Sequence, residues 1–394
     1  MRDVIVIAGG FNLDGMGASA VRALGMAALF RKLGYEVQVL GKFATPDPKA
    51  PERMFHGIPC RDLRQPVPDA AFPHYEWSER SLMAAVDAIG ADRVRGVVMY
   101  NYPAVGGYKS IRACRARGIA PILDCTEWQL WEGPRVLRNI WRLAQLETRM
   151  RLLVRLAGNV ICASSWYRRR LPRQHTLLLP FVLDTRRPEW QRTPWDARPD
   201  RPTRLLYSGS PGVGMVKDRL PPMIEALSRL AGEGLAFECT IAGMTERDYL
   251  NAMPGHAGHI AMLGHRVRFL GRVPHAESLD LLRQTDFSVF FRKPDRVANT
   301  GFATKFVEAT TLGIPVVSNP TSDLPLYIQD GETGIMAEGI GLDQLATALR
   351  RAITLPDDRR ARIMANVRAR NPFDMDQWAE PAAEFLRDLR GVDG

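Results

Sequence analysis

Two charged side chains, Lys305 and Glu308, stand one helical turn apart inside the otherwise small and apolar run "NTGFATKFVEATTLGIPVVSN", Asn299 to Asn319. Gly313 and Pro315 stop the helix expected over Thr304 to Leu312, and Val316 and Val317 continue into a buried strand. An i,i+3 ion pair on a helix surface would account for both charges and contribute about 0.2–0.5 kcal/mol. A ligand site would account for them as well. Backbone N–H groups at a helix N-terminus attract anions, and the glycine loop Thr300-Gly301-Phe302 leads directly into this one.

A second loop with the same potential is "YSGSPGVGMVKDRL", Tyr207 to Leu220. Glycines at 209, 212 and 214 can present backbone N–H groups to an anion, and Lys217 adds an ammonium. A solvated loop lysine explains the stretch equally well. A third glycine loop, Gly9 to Gly17, ends in Gly15-Met16-Gly17, close to the dinucleotide fingerprint. Six residues separate the first strand from Gly15, and the second strand ends Leu40-Gly41-Lys42 with no acid to hold ribose hydroxyls. Both features weigh against a nicotinamide cofactor. The preferred reading is a loop that contacts phosphate or an acceptor across a cleft, and a close helix–strand approach is the plain alternative.

The elements that must carry these loops alternate along the chain. Val4 to Ala8 is a short apolar strand, Ala18 to Leu33 a helix, and Tyr35 to Leu40 a second strand. Further strands are expected at Gly96 to Met99, Pro121 to Leu123 and Val160 to Ala163. Pro188, Pro194, Pro199 and Pro202, mixed with arginine and aspartate, mark an exposed linker. The alternation then restarts with a strand at Leu205 to Ser208, a helix at Leu220 to Leu230 and a strand at Phe237 to Ala242. Val267 to Leu270, Phe287 to Phe291 and Pro315 to Ser318 continue the second sheet. Strands alternating with helices predict parallel sheets covered on both faces. The expectation is an α/β chain of two doubly wound, Rossmann-like domains facing a cleft. An N-terminal domain spans residues 1–182, a linker 183–203 and a C-terminal domain 204–371. Residues 372–394 hold a last helix, Asp376 to Leu389, that packs back on the first domain.

Composition narrows the function. The five cysteines are odd in number and scattered without a C-x-x-C pair, which predicts reduced thiols and no zinc site. The apolar run Val4 to Ala8 is too short for a signal peptide, and no run approaches the ~18 apolar residues of a spanning helix. A cytoplasmic protein that does not cross the membrane is therefore expected. The net charge of +10 lies in the first half, where residues 1–182 hold 26 Lys and Arg against 15 Asp and Glu. Residues 135–173 alone carry ten arginines and one acid, Glu147. Arg135, Arg138, Arg142 and Arg149 recur at helical spacing, and Arg168, Arg169 and Arg170 form a second cluster. No nucleic-acid motif accompanies the charge, so a nucleic-acid partner is not expected. An anionic membrane surface is, with a solvated face as the alternative.

Taken together, these motifs resemble the family 4 glycosyltransferases of the GT-B fold. The likeness rests on "TGFATKFVEATTLGIPVVSN", followed by "DGETGI", with glycine, aromatic, glutamate, G-x-P and valines in register, and it covers most of residues 204–355. The first half matches more loosely, through its glycine loop and "NVICASSWYRRRL". The resemblance implies that Glu308 accepts hydrogen bonds from the ribose of a nucleotide diphosphate sugar. It also implies that amides around Gly301, Phe302 and Ala303, leading into Thr304 and Lys305, meet the donor phosphates. Lys217 falls at the family lysine that neutralises the diphosphate, beside Gly209. Two positions depart from the pattern: Thr300 stands where the family has the first glutamate of its pair, and Ser210 where it has a diphosphate arginine.

On the acceptor side the resemblance points to "PILDCTEWQLWEG", Pro121 to Gly133. Asp124 and Glu127 follow a strand, at the carboxyl end where clefts form, and Trp128 and Trp131 could stack on a sugar. A helix N-terminus capped by Asp124 or Thr126 is the alternative. The expected activity is retaining, metal-independent transfer of a sugar to a glycan or lipid-linked acceptor in cell-surface polysaccharide biosynthesis. It needs no cofactor beyond the donor substrate. The enzyme would be peripheral on the cytoplasmic face of the membrane. A non-catalytic nucleotide-sugar-binding partner of another transferase remains open, as does a sugar-nucleotide epimerase or oxidoreductase on a similar architecture.

Overall fold

The computed structural model describes residues 3–14, 17–45, 52–64, 75–126, 128–129, 136–192, 201–212, 215 and 217–391 of the 394-residue chain. The chain divides into two compact units. Unit 1 is Met1–Asp184, Thr300–Phe302 and Phe373–Gly394, and unit 2 is Thr185–Asn299 and Ala303–Pro372.

Unit 1 is built on strands β1 (Val4–Asn12), β2 (Glu36–Lys42), β3 (Glu52–Phe55), β4 (Ile58–Asp62), β5 (Val94–Tyr100), β6 (Ala120–Cys125), β7 (Asn159–Cys162) and β8 (His175–Leu178). They form one sheet in the order β3-β4-β2-β1-β5-β6-β7-β8, parallel except for the β3–β4 pairing at one edge. Central strands read as continuous apolar runs because helices cover both faces; Val4 to Ala8 and all of β6 and β7 are buried. Two cores result. One packs the alternate side chains Val4, Val6 and Ala8 with Leu123 and Val160, and the other packs Ile5 and Ile7 with Ile122 and Ile161. Phe385, Leu386 and Leu389 belong to the second core, carried by residues of the helix Ala379–Arg387 and just beyond it.

Strand β1 runs past the expected end at Ala8 and includes Gly9 and Gly10. These glycines serve packing in place of a loop. A Cβ at Gly9 would come within 2.9 Å of the Phe11 ring and of Tyr100 O, and one at Gly10 within 2.1 Å of the Tyr75 hydroxyl. Gly15 and Met16 lie outside the described residues, and Gly17 is the exposed N-cap of the helix Ala18–Lys32.

Unit 2 holds β9 (Thr203–Ser208), β10 (Phe237–Ala242), β11 (Val267–Gly271), β12 (Phe287–Val289), β13 (Val316–Ser318) and β14 (Gly334–Met336). All pairings are parallel, in the order β11-β10-β9-β12-β13-β14. The order reverses direction between β9 and β12. Loops leaving such a pair diverge to opposite faces, so a crevice opens at their carboxyl ends.

The five cysteines are free and buried, and burial raises every thiol above its ordinary range, Cys60, Cys114, Cys125 and Cys239 to about 12. No described helix is long and apolar enough to cross a membrane.

Candidate functional site

The crevice of unit 2 gathers four side chains from four elements. Tyr207 sits near the end of β9, and Arg292 lies three residues beyond β12. Asp218 precedes the helix Leu220–Gly232, and Lys305 occupies the first turn of the helix Thr304–Thr311. Asp218 is fully buried and takes all three partners. Its Oδ2 accepts from Lys305 Nζ at 2.6 Å and from the Tyr207 hydroxyl at 2.8 Å, while its Oδ1 accepts from Arg292 Nε at 2.9 Å. Arg292 is held in turn by Asn319, which exchanges two 2.8 Å hydrogen bonds with its backbone.

Lys305 Nζ also lies 4.1 Å from the centre of the Tyr207 ring and 5.4 Å from that of Phe290. Aromatic faces stabilise a cation that has lost its water. Gly209, at φ +128°, supplies the roof: a Cβ there would meet Lys305 Nζ at 3.1 Å.

Burial alone would push the Asp218 carboxyl up, but Lys305 and Arg292 outweigh it and hold the group well below the usual carboxylate range. Burial dominates at Lys305 and brings its ammonium down to about 8, against the pull of Asp218. Two cations thus face one carboxylate. The cluster keeps one positive charge in excess, in a place where water is scarce and charge acts strongly.

Glu308, one turn further along the helix, does not pair with Lys305. Its Oε1 accepts from His275 Nε2 at 2.9 Å. That hydrogen bond raises the His275 imidazolium above its ordinary value, against the opposing effect of burial. His275 opens the helix His275–Arg283, which is tied to the end of β9 by the Ser208–Ser278 hydroxyl contact at 2.7 Å. The surface i,i+3 ion pair is not formed: Lys305 pairs with the buried Asp218, and Glu308 with the partly exposed His275.

The remaining site residues read from the sequence fall as follows. Lys217 is exposed, with its backbone N–H donating to Pro211 O at 3.0 Å. Ser210 is exposed, and its Oγ accepts from Gly212 N–H at 3.3 Å. Ala303 is the extended N-cap that opens the helix for Thr304. Thr300, Gly301 and Phe302 are counted with unit 1, where Ser164 Oγ donates to Thr300 O at 2.9 Å and Thr300 is wholly buried.

Asp124, also in unit 1, is fully buried at the end of β6, with Oδ1 and Oδ2 each 2.7 Å from the Arg22 guanidinium. It forms this ion pair and not the helix cap that was the alternative to the acceptor-side reading. Trp128 is buried too, donating to Glu147 at 2.9 Å and meeting Trp166 and Tyr167 edge-on, so it is part of the core and no open platform. Glu127 and Trp131 lie outside the described residues. Sequence reasoning missed Tyr207, Asp218, His275, Arg292 and Asn319. For two of them position is the signal, since Arg292 and Asn319 each follow the apolar end of a strand.

Residues 202–354 match the model of a family described as Glycosyl transferases group 1. Over 114 residues the chain is 34% identical to D-inositol 3-phosphate glycosyltransferase of Mycobacterium tuberculosis, a stretch that is 28% of this chain and 24% of that relative. The chain thus matches about a quarter of the length of the curated relatives. Among solved structures, sucrose-phosphate synthase from Thermosynechococcus elongatus is similar with a TM-score of 0.70 at 17% identity, covering 100% of both chains. Anabaena HepE in complex with UDP and glucose gives 0.66 at 16%, over 98% of this chain and 100% of that one. The catalytic domain of starch synthase IV from Arabidopsis thaliana, bound to ADP and acarbose, gives 0.68 at 11% over 100% of both. The fold is that of the GT-B glycosyltransferases, two Rossmann-like units on parallel sheets. The match over residues 202–354 includes the "TGFATKFVEATTLGIPVVSN" motif on which the resemblance rested.

Proposed function

We propose that this protein is a retaining, metal-independent glycosyltransferase that uses a nucleotide diphosphate sugar. Its acceptor is a glycan or lipid-linked precursor of a cell-surface polysaccharide, met on the cytoplasmic face of the membrane. The observation that carries this reading is the surplus buried cation at the crevice of unit 2, one turn from the carboxylate of Glu308. A nucleotide diphosphate sugar presents both complementary chemistries, a diphosphate and a pair of adjacent ribose hydroxyls. Two structurally similar proteins were solved with UDP and glucose and with ADP and acarbose, which supports a nucleotide-linked donor here.

Glu308 would accept from the ribose hydroxyls. One of its oxygens is oriented by His275, and a carboxylate has further acceptor sites for ligand donors. Lys217 and the amides leading into the helix Thr304–Thr311 would meet the diphosphate. Where Ser210 lacks the family's guanidinium, Arg292 and Lys305 supply positive charge from beneath. In the reaction the bond from the sugar's anomeric carbon to the phosphate oxygen breaks. The acceptor oxygen bonds to that carbon on the same face, and its proton passes to the departing phosphate. Stabilising the charge that develops on the diphosphate is the main catalytic contribution.

The test is Glu308→Gln. Losing a charged acceptor for the ribose costs about 1.5–3 kcal/mol of donor binding, roughly tenfold to a hundredfold. A thermal-shift panel of UDP-, GDP-, ADP- and dTDP-sugars identifies the donor, and the variant should lose most of that shift, read against its own melting point without donor. An undiminished shift would remove Glu308 from the site. A second reading, a nucleotide-sugar-binding partner without turnover, draws on Ser210 and Thr300. Release of nucleoside diphosphate with candidate acceptors separates the two.

A further inference from the structure

The helix Val136–Thr148 wears its apolar side outward. Val136, Leu137, Ile140 and Trp141 are all exposed, Leu137 by 84%, whereas Asn139 and Leu146 are buried. At 3.6 residues per turn the four exposed residues share an arc of roughly 140°. Trp77, from a separate segment, stacks on Trp141 with ring centres 5.3 Å apart and planes 15° from parallel, and it too is exposed. An amphipathic helix normally buries such a stripe.

The arginines expected to form the outward face are employed differently. Arg149 donates to Asn101 O at 2.7 Å, and Arg142 donates to Gln129 and Asn139. Arg135 and the side chain of Arg138 lie outside the described residues. Exposed cations flank the stripe instead. Lys109 donates to Trp77 O at 2.9 Å, which fixes an ammonium beside the tryptophan pair, and Arg112 is exposed one turn further along the same helix, Ala104–Arg115.

We infer that this stripe, with the Trp77–Trp141 pair, is the part of the protein that enters the interfacial layer of an anionic lipid bilayer. Tryptophan prefers the headgroup boundary, and an in-plane helix with an apolar face and flanking cations is held there by both area and charge. Charge also decides among occupants. Residues 1–182 hold 26 Lys and Arg against 15 Asp and Glu, so a second copy would bring like charge onto like charge. An anionic surface is complementary. The inference rests on the peripheral location proposed above and sharpens it, exchanging an arginine face for an apolar one.

Binding of the full chain to phosphatidylcholine vesicles, with and without phosphatidylglycerol, is read by co-sedimentation and tryptophan emission in the absence of donor and acceptor. The wild type should bind the anionic vesicles with a blue-shifted emission. Leu137→Gln with Ile140→Gln, both already exposed and so tolerated by the fold, should weaken that binding by about tenfold or more. Lys109→Gln with Arg112→Gln should reduce the preference for anionic vesicles and its salt dependence while leaving a blue shift at low salt. Binding that survives the Leu137/Ile140 exchange undiminished, or no binding to either vesicle, overturns the inference. So does a self-association that the exchange abolishes, which would assign the face to a second copy. The donor-induced thermal shift is unaffected by any of these outcomes, so failure here leaves the transferase reading standing.

Discussion

Asp218 is the hinge of the unit 2 cluster, because one buried carboxylate answers two cations and a phenol. Asp218→Asn keeps the shape but leaves Lys305 and Arg292 facing each other without a counter-charge, and should cost about 3–5 kcal/mol. Lys305→Met leaves Asp218 paired with Arg292 and removes a desolvated ammonium, so it should cost less. Urea unfolding of both variants checks the ranking, and equal losses would mean that Asp218 does not hold the cluster together. His275 carries a pH signature. Its folded value is raised above 6.5 by Glu308, so the folded state binds the proton more tightly than the unfolded chain. The stability from this pair is then fully present below about pH 6.5 and is lost as pH rises through the folded value. His275→Gln should remove that decline from a series of unfolding curves. A decline that persists in the variant would place it in another group.

At the level of elements, Gly209 links strand β9 to the loop above Lys305 at φ +128°, where an L side chain is strained and where a Cβ would press on the lysine at 3.1 Å. Gly209→Ala should cost about 1–3 kcal/mol and weaken donor binding together with stability. A variant as stable as the wild type would show that the loop relaxes freely. Such tight places are legible as glycines in the sequence, though not what they are tight against. The strand Phe237–Ala242 agrees with the sequence expectation at both ends. The strands His175–Leu178 and Gly334–Met336 were not among the expected ones. The β3–β4 hairpin escaped as well, since Glu52 to Asp62 mixes charges with apolar residues at a sheet edge. Lys305 and Glu308 were visible because they interrupt an apolar helix. Asp218, Arg292 and His275 were not, because each is a single residue in its own element and acquires meaning only where parallel strands end together. Thr300 shows the converse. It stands where the family has a glutamate, but it is completely buried, so Thr300→Glu would bury a carboxylate.

On the scale of the molecule, unit 1 is closed by a segment far from it in sequence. Leu183 and Phe373 are joined by a 2.9 Å backbone hydrogen bond, as are Met375 and Leu183. Arg95 donates to Leu386 O at 2.9 Å, and Asn159 donates to Arg390 O at 2.9 Å. Phe373, Met375, Ala382, Phe385 and Leu386 are buried. Deleting residues 373–391 should therefore lower the melting temperature of unit 1 and expose apolar surface to a hydrophobic dye, while unit 2 keeps its donor-induced thermal shift. An unchanged thermogram would show that the segment adds nothing to unit 1.

The same segment sets an order on the ribosome. Residues 185–299 and 303–372 are synthesised before residue 373, so unit 2 has its strands β9 to β14 in hand while unit 1, begun first, still lacks part of its core. The half-built first unit must wait through the translation of the whole second one with Leu179, Val182 and their neighbours uncovered. During that interval it is the natural client of a chaperone. A nascent chain stalled before residue 373 would look to the cell's quality control like a protein that has failed to fold, whatever the state of its second half.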